Sequence, residues 1–441
     1  MEALSELFSW NFLTPIVRAD MTVLWKFIPF VLFFEVPVYL MVFLGVVRAT
    51  IRRWGERDRT AWYPSVSCIV TCYSEGAEIR KTIRSLCTQI YPGSIQLVVV
   101  IDGADQNRDT YDAAQAMRGF VSAHANRSII VVPKWQRGGR VSTLNTGLKF
   151  STGKVIMALD GDTSFDNNMV ERATRHFQDP SVACVAGSLR VRNVRASIVT
   201  RMQAIEYFLS IHASKTGLSE FNLVNNISGA FGIFRRSILE LIVGWDAGTA
   251  EDLDLTLRVK SYFGRQGKKM RIVFDSEAIG HTDVPVSMLG FLRQRLRWDG
   301  DLSFIYFRKH RKAFSPRILG WPNFLYQILS GLMFQIMMPI LLLIYTVYLF
   351  IAFPIRVAVS LMVLVYLFYL TLTLFIWISS VLMLSERLRE DLKLTVWLPL
   401  FPLFAFVTRL NSCFATFWEL WGHGHADTSM APWWVTRKSK F

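Results

Sequence analysis

The sequence predicts an α/β domain built on a parallel sheet, set between apolar helices that enter or lie on a membrane. Three observations carry this. Short β-branched runs at 66–71 and 97–101 flank a segment, 79–90, whose apolar residues recur at helical spacing, which makes a βαβ unit. A third run, 154–159, ends like the second in acids, and open parallel sheets bind ligands at the carboxyl ends of their strands. The chain of 441 residues is 52% hydrophobic and 14% aromatic yet carries a formal net charge of +15, so apolar segments coexist with a basic polar region.

The N-terminal residues 1–20 mix Trp10, Phe12 and Leu13 with Glu2, Glu6, Arg18 and Asp20, which suits an interfacial segment better than a crossing one. Residues 21–48 supply a transmembrane helix, apolar from 27 to 47 except for Glu35, with no small-residue cleavage site behind it. Arg48, Arg52, Arg53, Arg57 and Arg59 follow at once, so the positive-inside rule puts the next domain, 60–310, in the cytosol. Lys and Arg flank apolar spans and no nucleic-acid-binding signature is present, so a nucleic-acid partner is not expected. The five cysteines form neither a CxxC pair nor a secreted framework and read as reduced, buried thiols.

No glycine-rich GxGxxG or P-loop follows the first strand; Glu75 and Asp102 stand where such motifs would hold phosphates. Asp160-Gly161-Asp162 ends the third strand. Two carboxylates one residue apart can reach one Mg²⁺ or Mn²⁺ on a diphosphate, and an ordinary Asp-Gly turn is the alternative. Glu251-Asp252-Leu253-Asp254 opens a helix, where acids also serve simply as partners of the helix dipole. Near the end of the polar region, Gln294, Arg297 and Trp298 fall at i, i+3 and i+4. On a helix they share one face, suited to a diphosphate and a sugar or, in the plainer reading, to lipid headgroups.

In this order the motifs resemble those of family-2, GT-A-type processive glycosyltransferases, the membrane synthases of poly-N-acetylglucosamine, hyaluronan, chitin oligosaccharides and cellulose. The resemblance covers roughly residues 62–310 and the helix-rich flanks match in layout. It implies an α/β GT-A domain in which Asp102 contacts the nucleotide and Asp160 and Asp162 help to hold nucleotide and metal. It further implies Asp252 as the base, with Gln294, Arg297 and Trp298 binding the diphosphate and the acceptor end. Glu75 and Arg140 join the nucleotide-binding set, and Ser228-Gly229-Ala230-Phe231-Gly232 resembles the acceptor loop, with Gly229 admitting the sugar and Phe231 stacking on it. Three positions depart from the family pattern: Ala250 replaces the usual Thr, Ile101 a frequent Asp, and Arg140 the usual Lys.

The chemistry expected of such a site is direct displacement. A sugar hydroxyl is a poor nucleophile, so a carboxylate, Asp252, must take its proton as it attacks the anomeric carbon. The leaving nucleoside diphosphate is neutralised by the metal on Asp162 and by Arg297, and an α-linked donor gives a β-linked product. The layout most resembles the poly-N-acetylglucosamine synthases, with a UDP-sugar as donor, a growing polysaccharide as acceptor, and room for a small membrane accessory subunit. The alternatives are a β-glucan or hyaluronan-type synthase, a non-processive transferase acting on a lipid carrier, and a scaffold with an inactive domain. A glycoside hydrolase has no need of a metal–diphosphate site or a pore.

Residues 311–422 are expected to supply interfacial and transmembrane helices forming a channel. Basic and aromatic residues at 304–312 lie at the headgroups, an interfacial helix leads into a span near 337–353, and a second span runs from 357 to 385. A last apolar segment from 394 to about 421 is broken by Pro399, Pro402 and Arg409. Three crossings after a cytosolic domain leave the tail, 423–441, outside the cell, unless one segment fails to cross. The proline-broken one is the candidate. The tail's Trp433-Trp434-Val435-Thr436-Arg437 resembles the WGTR tail of hyaluronan-type synthases, which implies that Trp434 and Arg437 close over the nucleotide as a gating segment. The whole is expected to be a multi-pass protein of the cytoplasmic membrane.

Overall fold

Strand β1 (Val66–Cys72) is buried at every position, as expected for a strand covered on both faces. The structure, a computed structural model, describes residues 31–55, 62–246, 250–311 and 313–422. β1 pairs in parallel with β2 (Ile95–Asp102) on one side and β4 (Val155–Asp160) on the other, and β3 (Arg127–Lys134) lies outside β2. Beyond β4 the sheet turns mixed: β7 (Phe231–Arg235) runs antiparallel to β4 and to β6 (Val182–Val191), β8 (Arg271–Thr282) parallel to β6, and β5 (Ser164–Phe165) closes the edge. The resulting order is β3-β2-β1-β4-β7-β6-β8-β5. The chain winds outward from β1 through β2 and β3, then returns to the other side of β1 as β4. This reversal opens a crevice at the carboxyl ends of β1 and β4.

The principal helices are α1 (Val36–Gly55), α2 (Ile79–Cys87), α3 (Gly139–Phe150), α4 (Ile198–Tyr207), α5 (Ser214–Glu220), α6 (Glu251–Arg265) and α7 (Met288–Phe304), followed by α8 (Trp321–Ala352), α9 (Ile355–Leu384) and α10 (Phe401–Gly422). α2 covers one face of the sheet with Ile79, Thr82, Ile83, Leu86 and Cys87, the spacing of a helix buried along one stripe. All five cysteines are buried and free.

Four helical bodies, Val31–Gly55, Trp321–Ala352, Ile355–Leu384 and Leu388–Glu419, are long and apolar enough to cross a membrane. The first outlasts its expected end at residue 48 because its basic run docks on the domain. Arg48 and Arg52 pair with the buried Glu220 of α5, and Arg53 reaches Ser276 of β8. The close fit of α1 on α5 depends on two glycines: a Cβ at Gly45 would lie 2.2 Å from the Gly217 carbonyl oxygen. The segment 321–352 is one continuous helical body, in which a π-helical stretch, Ile328–Met337, joins the part expected to be interfacial to the expected span.

The turn between α9 and α10 is stapled to the domain that carries the sheet. Arg190 on β6, 3% exposed, binds Glu386 at 2.9 Å and also Asp391, and its guanidinium lies over the Phe208 ring. His212 bridges the same joint: Nε2–H donates to the Leu384 carbonyl at 3.2 Å, which leaves Nδ1 to accept from Ser188 Oγ at 2.7 Å. Burial pulls the His212 pKa down to about 3, so the ring is neutral.

From this joint the last apolar segment begins as a 3-10 turn, Leu394–Leu400, around Pro399, and then lies along α7. Phe404 packs on Phe291, Asn411 donates to the Leu292 carbonyl at 3.1 Å, Ser412 donates to Asp299 at 2.5 Å, and Gly300 faces Ala415 and Glu419. Arg409, a charge near the middle of this apolar helix, donates to the carbonyl of Phe334 in the π-helical stretch of α8. Both ends of this segment therefore touch the domain that carries the sheet.

Candidate active site

The crevice at the sheet's carboxyl edge gathers acids from three strands. Glu75 follows β1, Asp102 ends β2, and Asp160 and Asp162 sit at the end of β4. Gly161 lets them crowd: its amide donates to the Thr71 carbonyl at 3.0 Å, and a Cβ there would lie 2.9 Å from Cys72 Sγ and 3.1 Å from the Glu75 carboxyl carbon. Glu75 accepts from the Tyr73 amide at 2.7 Å. Burial, reinforced by the Asp162 and Asp160 charges, pushes its pKa up to about 7, and burial with the Asp160 charge pushes Asp162 up to about 6. Oxygen-only carboxylates that repel one another in this way fit a hard divalent cation such as Mg²⁺ or Mn²⁺. Among the described residues no three metal-ligating side chains are grouped as a closed ligand set.

Asp102 is 5% exposed, and its carboxylate takes Lys134 Nζ at 2.6 Å and the Gly138 and Gly139 amides at 2.9 Å each. It fastens the loop that leads into α3. Arg140, on the first turn of α3, spans the crevice: Nε binds Glu251 at 2.6 Å, one terminal nitrogen reaches Asp160 and Thr71 Oγ1, and the other donates to the Gly229 carbonyl at 2.5 Å. The planar five-donor guanidinium explains how Arg at this position ties three elements together where a Lys could offer only a point charge.

At the start of α6, Ala250 adopts a left-handed conformation, φ +41°, unusual for a residue with a Cβ. That strained turn sets Glu251 and Asp252 in different directions. Glu251 points to Arg140, and burial holds its pKa up to about 7 even against that guanidinium, with Asp252 adding to the rise. Asp252 Oδ1 accepts from the Leu253 amide at 2.7 Å, and Oδ2 accepts from Asn226 Nδ2 at 3.2 Å and the Gly229 amide at 3.1 Å. Gly229 is thus gripped from both sides, its carbonyl by Arg140 and its amide by Asp252.

Gln294, Arg297 and Trp298 lie on α7. The Gln294 Oε1 atom is buried without a hydrogen bond, Arg297 is half-buried, and Trp298 is 39% exposed with the Arg295 guanidinium 4.7 Å from its ring centre. Arg295 is turned away from the crevice by Glu206 at 2.8 Å. Asp299 is taken by Ser412 of α10. Trp434 and Arg437, with the rest of the tail and residues 1–30, lie outside the described residues.

Phe231 requires a correction. It is the first residue of β7, fully buried, with its ring 5.1 Å from Phe165 and filling the space beside Gly187. It is core and cannot stack on a sugar. The glycines around it suggested a loop, but Phe231-Gly-Ile-Phe-Arg235 alternates as a strand and pairs with β4. Sequence reading also passed over four residues that the fold brings to the site: Glu251, Lys134 on Asp102, Arg192, which donates to the Asp162 carbonyl at 3.2 Å, and Lys215, which donates to the Asn226 carbonyl at 2.9 Å. Of these only Glu251 carried a signal, its place beside Asp252.

The model of glycosyl transferase family 2 matches residues 67–242, and that of glycosyl transferase family group 2 matches residues 155–409. The chain is 26% identical over 235 residues to the poly-β-1,6-N-acetyl-D-glucosamine synthase of Staphylococcus epidermidis, covering 53% of each protein. To an N-acetylglucosaminyltransferase of Rhizobium leguminosarum bv. viciae it is 28% identical over 262 residues, 57% of this chain and 59% of that one. The chain thus spans about half the length of the curated relatives it matches. The solved mannosyltransferase PcManGT of Pyrobaculum calidifontis, in complex with GDP-Man and Mn²⁺, superposes with a TM-score of 0.52 at 18% identity, covering 87% of this chain and 99% of that one, a likeness of fold.

Proposed function

The chain belongs to glycosyl transferase family group 2, and we propose that it is a multi-pass synthase of the cytoplasmic membrane. In this reading it adds sugars from a UDP-sugar, UDP-N-acetylglucosamine by preference, to a β-linked polysaccharide and exports the product through its own helices. The observation that carries the reading is the crevice itself: Asp252, with both its oxygens oriented by described hydrogen bonds, faces a donor side marked by Glu75, Asp160 and Asp162 across Arg140.

In this reading Asp252 accepts the acceptor hydroxyl proton while that oxygen bonds to the anomeric carbon and the bond to the diphosphate breaks, inverting the centre. Its Oδ2 already takes two N–H donors, which fix the carboxylate without protonating it. Mg²⁺ or Mn²⁺ held by Asp162 and Asp160 supplies charge neutralisation for the leaving diphosphate when bound. Arg297 and Gln294 hold the same diphosphate from α7, with Trp298 as the apolar floor for the acceptor. Asp102 orders the loop at 138–139 next to the nucleotide, and Gly229 shapes the acceptor side. The packing of α10 along α7 supports three crossing helices, α1, α8 and α9, and a tail that starts on the catalytic side, as closure by Trp434 and Arg437 requires.

The test is a panel of radiolabelled sugar nucleotides offered to purified protein with Mg²⁺, Mn²⁺ or a chelator, with products digested by linkage-specific hydrolases. Metal-dependent incorporation of N-acetylglucosamine into long β-linked chains is expected. Transfer of single sugars to lipid would establish the non-processive alternative, and incorporation of glucose alone would replace the donor while keeping the mechanism.

A further inference from the structure

Beside Asp252, at the Oδ2 atom that also takes the Gly229 amide, stands a pair of polar groups whose hydrogen bonding is unfinished. The contacts run in order from Asp160 to Arg140, then to Gly229 and Asp252, then to Asn226 and Lys215. Asn226 spends its amide N–H on Asp252, and its Oδ1 is buried with no hydrogen-bond partner among the described residues. Lys215 makes a single described hydrogen bond, to the Asn226 carbonyl, although an ammonium carries three donors. Burial pulls its pKa down to about 8, against the pull of the Asp252 charge. A buried amide oxygen and a half-buried ammonium left short of partners are costly unless something completes them.

We propose that Lys215 and Asn226 form a subsite gripping the acceptor sugar beside Asp252, Lys215 donating to one ring hydroxyl and Asn226 Oδ1 accepting from its neighbour. One donor group and one acceptor group flanking the base match a vicinal diol, whose hydroxyls both donate and accept. They match a phosphate poorly, since Asn226 Oδ1 and Asp252 would face its charge. The walls of the subsite are tied to the membrane helices. Lys215 stands two residues from Gly217, where α5 meets Gly45 of α1 almost backbone to backbone, and Asn225 reaches Ser330 of α8 at 3.5 Å. The acceptor end is therefore held where the catalytic domain meets two of the membrane helices.

The inference rests on the transferase reading, and one experiment separates them. Purified full-length protein and its Lys215→Met, Lys215→Arg and Asn226→Ala variants are assayed for UDP release from UDP-N-acetylglucosamine against increasing β-linked N-acetylglucosamine oligosaccharide, and UDP affinity is titrated separately. The half-saturating oligosaccharide concentration should rise about tenfold in Lys215→Met and Asn226→Ala and recover in part in Lys215→Arg, with UDP affinity within about twofold of the parent. Unchanged half-saturation in Lys215→Met overturns the subsite while leaving the transferase standing. Loss of UDP binding in both lysine variants also overturns it, because the residue then serves the donor or the fold. No UDP release by the parent with any sugar nucleotide removes the transferase reading, and this inference with it.

Discussion

Replacing Asp252 by Asn tests the base with almost no change of shape. The native carboxylate accepts three N–H groups, two at Oδ2 from Asn226 and Gly229 and one at Oδ1 from Leu253. An amide has one accepting oxygen, and the orientation that keeps the two bonds at the Oδ2 position turns its NH₂ toward the Leu253 amide. One donor then faces another, which costs about 1–3 kcal/mol of stability, a shift of a few degrees in Tm. The catalytic loss is larger. Without a basic lone pair the general-base contribution of about 10²–10⁴-fold disappears, or about 3–5 kcal/mol of barrier. Coupled detection of UDP release gives kcat, and titration with UDP and Mg²⁺ gives binding, which should be unchanged because Asp252 touches only the acceptor side. A kcat within about tenfold of the parent, in protein that binds UDP normally, would refute the assignment of the base.

Three further variants probe the fold around this site. Phe231→Ala should lose about 3–5 kcal/mol of stability as a core cavity, read by thermal unfolding in detergent, and leave the half-saturating acceptor concentration unchanged; the reverse pattern would restore it to the acceptor site. Arg190→Met leaves the buried Asp391 unpaired and should cost about 3–5 kcal/mol, so a Tm equal to the parent would show that the joint carries no energy. Glu251→Gln addresses pH. Burial raises Glu251 from 4.5 to about 7, so the folded state favours its protonated form: the stabilisation is fully present below pH 4.5 and is lost as pH rises through about 7. The Tm of Glu251→Gln relative to the parent should therefore climb between about pH 5 and pH 8, and a flat difference would contradict the raised pKa.

The parallel half of the sheet was legible because its signals are local. Uninterrupted β-branched runs, one helix of period 3.6 and acids directly after the strands locate β1, β2 and β4 to within two residues at each end, and α2 from its first residue, although it ends at Cys87, before the expected residue 90. The other half was not, since the antiparallel insertion of β7 between β4 and β6 joins segments far apart in the chain. Phe231 was misread for that reason: its burial comes from β4 and Phe165, which no window around Gly229 contains. Glu251 looked like a helix-dipole partner, and only Arg140, 111 residues away, makes it part of the crevice. In the membrane region hydropathy located four segments long and apolar enough to cross but could not say what they pack on, and the contact of α10 with α7 joins residues 119 positions apart.

The joint made by Arg190 and His212 has a mechanical consequence. β6 is an interior strand of the sheet, hydrogen-bonded on both sides, and Arg190 rises from it to grasp the turn between two apolar helices through two carboxylates, while His212 fastens the end of α9. α1 is bolted to α5 on another side of the same domain. In the proposed synthase, a body pinned at two such points would not rock against the bilayer as each sugar is added. The lengthening chain would then be advanced by something lighter than a domain: a single ring, a short loop, or the relaxation of the sugar just attached.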